Sequence, residues 1–437
     1  MNILILSAYH PYKTAGVVAL DLFEGLKKIN GNEVKLIVRK WDRYPDKNII
    51  PLKSISFHLL KGLQRKLGPF LNKIGLRKIK PSKSQKSDPG YCVLENDLTI
   101  TYHSTKSILK KAGFKPDVIV VLFMEDFLSF KNLYELNSIT KAPIMLHMMD
   151  MAAITGGCHY AWDCIGYTKK CGNCPALFSN EGSDQTSINY QFKNQYVEKT
   201  NIIPISGTEW QYNQLCKSSL FKEKRKIKIL LPIDENKYCP SDKIIVRREL
   251  GLPVDKKIIF FGAISVADRR KGFHELIEAF KILSKNVKDP SLIHLAIAGN
   301  NSANFKDILP FSSTLLGYLN HDSLPKAFQA ADIFVCPSVE DSGPMMVNQS
   351  IMSGTPVVAF EMGVAVDLVH NGETGYRAKL RDSEEFAQGL KHILELDETA
   401  YNQMSHNCRE LGLKLCKKEQ QHKKFMKILN EVVENRN

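Results

Sequence analysis

Short apolar runs rich in β-branched residues recur along this chain, spaced widely enough to hold a helix between them. That alternation leaves few folds open. The runs fall at 2–7, 34–39, 117–122 and 143–147, and again at 257–262, 292–298, 332–336 and 356–360. Strands separated by helical stretches pair in parallel, with helices covering both faces of the sheet. The expected class is α/β, as two Rossmann-like domains with a cleft between them. With 437 residues the chain exceeds one ordinary core. Pro204-Ile205-Ser206 and Leu231-Pro232 bracket the expected junction, so that 1–232 forms a first domain, 233–405 a second and 406–437 a helical end.

The run 336–376 carries the most specific chemistry: Cys336-Pro337-Ser338, Asp341, Gln349, Gly354-Thr355-Pro356-Val357-Val358, Gly363, Asp367 and Gly375-Tyr376. The strand before it (Ala331, Ile333, Phe334, Val335) delivers the chain to the carboxyl edge of a sheet, where open α/β sheets bind ligands. A helix starting near Gly343, Pro344 and Met345 aims its first N–H groups at that edge, an arrangement that attracts a diphosphate. Asp341 in the loop and Gln349, two turns along the helix, then share one cleft with it. The plain alternative makes Asp341 a helix cap and Gln349 an exposed surface residue. The flanking Pro-Ser and Gly-Thr-Pro-Val-Val, both in register, favour the site.

This run resembles the nucleotide-sugar site of the retaining glycosyltransferases of family 4, in which an acid stands where Gln349 stands here. The resemblance implies the GT-B fold, with a C-terminal helix packing back on the first domain. It also implies a nucleotide diphosphate sugar donor, transfer with retention and no catalytic metal. A second element agrees. Gly262-Ala263-Ile264 ends a strand, and Asp268-Arg269-Arg270-Lys271-Gly272 leads into a helix near Phe273. Basic residues at a helix start oppose its dipole, which favours an anionic partner. Lys271 matches the family's Lys-Gly, which neutralises the donor diphosphate. The family's usual Arg after the strand glycine is Ala263 here, so Arg269 or Arg270 supplies that charge. Earlier in the chain, Gly16 in Thr14-Ala15-Gly16 is the small residue that would let backbone approach the donor.

Asp150-Met151-Ala152-Ala153-Ile154-Thr155-Gly156-Gly157-Cys158-His159-Tyr160, followed by Cys164 and Cys171-Gly172-Asn173-Cys174-Pro175, is similar to a branch of family 4 associated with bacterial surface polysaccharides. The family often has His-Asp here. Asp150 matches the acid, while the His position is Met149, so His147 is either a donor-sugar contact or a satisfied core histidine. Cys158, Cys164, Cys171 and Cys174, within an insert at 155–175, are candidate ligands of a structural zinc. Reduced buried thiols, a disulfide, or His159 in place of one cysteine are the other readings.

A formal charge of +14 calls for an anionic partner. From Lys47 to Ser87 there are eleven Lys or Arg and no Asp or Glu. Apolar residues recur near helical spacing within 53–80, the pattern of a basic amphipathic helix on an anionic membrane, or of an ordinary helix with a solvated face. No apolar stretch approaches the roughly 20 residues needed to span a bilayer. The start lacks a basic n-region and reads as a buried strand. These features place the protein in the cytoplasm, peripheral to the membrane. A nucleic-acid protein would use the charge and the cysteines but leave 341–375 unexplained.

The resulting expectation is an enzyme moving a sugar from a nucleotide diphosphate to a lipid-linked glycan. Asp341, Lys271, Arg270 and Asp150 have the catalytic roles. Gly16, Gly262, Arg269, Gly343, Pro344, Met345, Gln349 and His147 bind the donor. The competing reading is a non-catalytic nucleotide-sugar or glycan binder, motivated by the amide at Gln349.

Overall fold

The computed structural model describes residues 1–39, 42–52, 87–93, 98–265, 268–300 and 307–435. The expected membrane helix at 53–80 lies outside them. The chain divides into two units. One comprises Met1–Ile205, Gln214–Ile227 and Phe425–Asn437, and the other Ser206–Asn213 and Lys228–Lys424.

The first unit is built on a seven-stranded sheet of β1 (Asn2–Ser7), β2 (Glu33–Val38), β3 (Ile49–Pro51), β4 (Val118–Val121), β5 (Ile144–His147), β6 (Ile202–Ser206) and β7 (Ile227–Lys228), ordered β3-β2-β1-β4-β5-β6-β7. The ladders from β3 to β6 are parallel. Covered on both faces, β4 and β5 read VIVV and IMLH with every residue buried, which is why they look like continuous apolar runs. The helix Phe130–Thr140 starts with a reciprocal capping box between Ser129 and Asn132, and Gln185–Val197 with Asp184 accepting from Thr186 and Ser187 N–H.

The second unit holds β8 (Lys257–Ser265), β9 (Ile293–Asn300), β10 (Ser312–Gly317), β11 (Ile333–Cys336), β12 (Val357–Phe360) and β13 (Gly375–Ala378), ordered β10-β9-β8-β11-β12-β13 and parallel throughout. Phe328 meets Phe260 and Phe334 edge-on, with ring centroids 5.2 Å apart in both cases. Each such ring contributes roughly 1.5–3 kcal/mol on burial, so β8 and β11 are held firmly side by side.

In both sheets the strand order reverses once, between β1 and β4 and between β8 and β11. Ligands of open α/β sheets sit at the carboxyl ends of the strands flanking such a reversal. The final helix, Lys418–Glu434, passes from the second unit into the first. There Met426 Sδ accepts from Asn32 at 3.3 Å and Glu431 pairs with Arg225 at 3.3 Å, so the C-terminal helix packs back on the first unit as expected.

Five strands escape the apolar-run criterion. β3 ends in proline, β10 is half-exposed with Ser-Ser-Thr at its start, and β13 reads GYRA at a sheet edge. β7 is two residues long. Pro204, expected at a junction, lies within fully buried β6, opposite Leu146. The chain leaves the first unit one residue later, between Ile205 and Ser206.

Candidate active site

At the carboxyl ends of β8 and β11 two loops are laced together. The loop after β8 makes a single 3-10 turn, Arg269–Lys271, capped by Asp268 and ended by Gly272 at φ 63°. A Cβ on Gly272 would lie 1.8 Å from the Pro337 carbonyl oxygen, so only glycine lets this turn close on the loop after β11. Once closed, the Arg270 carbonyl accepts from Val339 N–H at 2.9 Å and Glu340 N–H at 3.4 Å.

This lacing brings Lys271 Nζ to 2.5 Å from Asp341 Oδ2. Burial works against the Lys271 ammonium, but the charge and hydrogen bond of Asp341 outweigh it and raise its pKa. Burial likewise raises Asp341, and Lys271 more than reverses the effect, leaving the carboxyl below its ordinary value. Both groups are therefore charged at neutral pH. Asp341 does not cap the next helix. Its Oδ1 accepts from Gly343 N–H at 3.1 Å, while the helix Met345–Met352 starts at Pro344 with no side-chain cap.

Gln349 is buried, not exposed, and its Oε1 has no hydrogen-bond partner. Ser342 Oγ, also buried, has none either. Native interiors rarely leave such atoms unpaired, and these two lie on the loop and the helix that follow Asp341. Met345 is half-buried at the helix start, and Gly262 makes room for Met346, whose Cε would lie 2.7 Å from a Cβ there. Arg270 binds Asp268 at 2.5 Å, and Arg269 is exposed. The sequence did not reveal Thr208, whose hydroxyl donates to the Ser342 carbonyl at 2.7 Å across 134 positions.

Three candidates belong to the first unit. Gly16 has a packing reason to be glycine, since a Cβ would lie 2.0 Å from the His10 carbonyl oxygen. His147 ends β5, buried, with Nδ1 unpartnered, and burial pushes its pKa down to about 4. Asp150 binds Ala152 N–H at 2.7 Å and His159 Nδ1 at 2.6 Å. Burial opposes charge on His159, yet the Asp150 hydrogen bond and charge raise its pKa.

The four cysteines of the insert share one neighbourhood. Burial pushes the thiols of Cys158 and Cys171 up to about 12 and about 11, and neighbouring thiols add to the effect in each case. A tetrahedral zinc needs sulfurs about 2.3 Å from one point. Among the described residues no three His, Cys, Asp or Glu side chains are so arranged. Cys171 Sγ accepts from Gly156 N–H at 3.1 Å. None of the four is in a disulfide.

Residues 242–411 match the family described as glycosyl transferases group 1. An uncharacterized glycosyltransferase of Methanocaldococcus jannaschii is 29% identical over 165 residues, which is 35% of this chain and 40% of that relative's length. Sucrose-phosphate synthase from Thermosynechococcus elongatus superposes with a TM-score of 0.67 at 16% identity, covering 99% of this chain and 98% of that one. An Anabaena protein crystallised with UDP-glucose gives 0.61 at 15% identity, covering 99% and 100%. At such identities the structural likeness is one of fold. The matched segment spans the turn carrying Lys271, the loop carrying Asp341 and the helix carrying Gln349, so the chain has the GT-B fold and, over residues 242–411, is similar to the group 1 glycosyl transferases.

Proposed function

We propose that the protein is a retaining glycosyltransferase of family 4 that moves a sugar from a nucleotide diphosphate donor to a lipid-linked glycan in cell-surface polysaccharide synthesis. The observation that carries this reading is the Lys271–Asp341 pair at the carboxyl ends of β8 and β11, followed along the chain by unpartnered Ser342 Oγ and Gln349 Oε1. A diphosphate laid there meets the Lys271 ammonium and the start of the helix Met345–Met352. Its charge grows as the glycosidic bond breaks, so a fixed cation stabilises the transition state more than the bound donor. Ser342 and Gln349 would accept from donor hydroxyls, and Asp341 holds Lys271 in place. The leaving phosphate takes the acceptor's proton, a scheme that asks no protein nucleophile.

UDP-glucose in the Anabaena relative supports a nucleotide-sugar donor. Contact with an anionic membrane rests on the sequence of 53–80 alone. The test is a screen of nucleotide sugars with lipid-linked acceptors, with and without anionic vesicles. Nucleoside diphosphate release, product mass and anomeric configuration are read together. Release coupled to an α-linked product from an α-linked donor supports the reading. Donor binding without turnover on any acceptor favours the non-catalytic binder.

A further inference from the structure

A pocket opens in the first unit around the carboxyl ends of β4 and β5, with Tyr9 from beyond β1 on its wall. Leu122, Phe123, Met124, Leu146, Met148 and Met149 belong to its largely apolar wall. Its ionisable groups are already engaged by the protein. Glu125 accepts from the Tyr9 hydroxyl at 2.8 Å, Asp126 pairs with Arg39 at 3.2 Å and Asp150 with His159 at 2.6 Å. Lys193 is buried and donates to the carbonyls of Ala152 at 2.5 Å and Thr155 at 2.7 Å, with its ammonium 5.5 Å from the Phe130 ring centre. His147 is the exception, because its buried Nδ1 meets no partner.

We propose that this pocket binds the acceptor through an uncharged sugar bearing an apolar substituent, with a sugar hydroxyl bonded to His147 Nδ1. The proposal deepens the glycosyltransferase reading and rests on it for the word acceptor. A hydroxyl both donates and accepts, so it satisfies Nδ1 in either imidazole tautomer. The Leu, Phe and Met wall rewards a methyl or acetamido group and gains nothing from a fully hydroxylated face. An anionic acceptor would fare poorly. Three carboxylates line the wall, the Lys193 ammonium is committed to carbonyls, and burial keeps His147 neutral, so a phosphate would enter without an open countercharge.

The test is direct binding to the full chain, by saturation-transfer NMR and calorimetry, of four probes: methyl N-acetylglucosaminide, methyl rhamnoside, methyl glucoside and glucose 6-phosphate. UDP binding is measured in parallel. The N-acetylated and 6-deoxy glycosides should bind best and glucose 6-phosphate worst. His147→Phe keeps a ring but no nitrogen and should weaken glycoside binding about tenfold, whereas His147→Asn keeps a hydrogen-bonding group and should retain it. UDP affinity should stay unchanged in both. Should His147→Phe not fold, Ala153→Trp puts an indole into the pocket with the imidazole retained and should abolish glycoside binding alone. Glucose 6-phosphate binding more tightly than methyl glucoside, no glycoside binding at millimolar concentration, or unaltered affinity in a folded pocket variant would overturn the proposal. Glycoside binding without UDP binding would instead overturn the donor-site reading and leave the pocket's specificity established.

Discussion

The second unit buries two aspartates against cations, at opposite ends of β11. Asp332, just before the strand, receives Lys243 at 2.9 Å, Arg247 at 2.7 Å and Ile258 N–H at 2.7 Å. Asp341, just after it, receives Lys271 at 2.5 Å and Gly343 N–H at 3.1 Å. In both, burial raises the carboxyl and the cations more than reverse it. Their surroundings differ. Lys243 also reaches the Tyr401 hydroxyl at 2.6 Å and Arg247 three carbonyls, whereas Ser342 and Gln349, following Asp341 along the chain, keep unpartnered oxygens. A closed network holds the fold together, and an open one at the carboxyl edge is ready for a ligand. Burial of an ion pair alone does not tell the two apart.

The comparison breaks first at Asp332. Asp332→Ala leaves Arg247 buried without its charge partner and should cost about 3–5 kcal/mol in denaturant unfolding, with activity per folded molecule retained. A large loss of turnover without loss of stability would make the amino-end network functional after all.

The neutral His147 sharpens the contrast by pH. Its pKa falls from 6.5 to about 4 on folding, so below 6.5 the unfolded chain takes up a proton that the folded chain refuses. Stability is complete above that value and falls by about 3 kcal/mol on its account as the pH drops to 4. His147→Phe should lack this portion of the acid slope. Identical slopes would mean that the buried imidazole is hydrated.

At the open pair, Lys271→Met should lower kcat/KM roughly ten- to hundredfold through the loss of one charged hydrogen bond to the diphosphate. It also strands Asp341, so some stability is lost. Adding Asp341→Asn should restore the unfolding midpoint and not the rate. Wild-type kinetics in folded Lys271→Met would end the assignment.

The smallest effect is expected from Gln349→Glu. A carboxylate offers more acceptor positions than the amide oxygen, so UDP binding, read by calorimetry, should tighten or stay unchanged. Severe weakening would show that the pocket is shaped around the amide.

The eight apolar strands and the run from Lys271 to Gln349 were legible because each depends on local chemistry: β-branched stretches, a Gly after a basic turn, fixed spacing past a strand. What stayed hidden depends on distant partners. Nothing near Lys193 distinguishes it from a solvated helix lysine, because its burial comes from the carbonyls of Ala152 and Thr155. Asp150 and His159 were each noticed, but their pairing needs the insert folded back on β5. The spacing of Cys158 to Cys174 gives no sign that the Gly156 N–H donates to the Cys171 sulfur. Edge strands β10 and β13 lacked the apolar signal because only one side of an edge strand is paired.

The first unit includes Phe425–Asn437, separated from its main body by most of the second. A ribosome adding about 5–20 residues per second needs on the order of 10–40 s to pass from Lys228 to Lys424. During that interval the His147 imidazole lacks Phe425, whose ring centre lies 6.3 Å from its own in the finished protein. Until then that side of the imidazole lacks its aromatic neighbour. A contact inside the first unit is thus completed only after the second unit has been made.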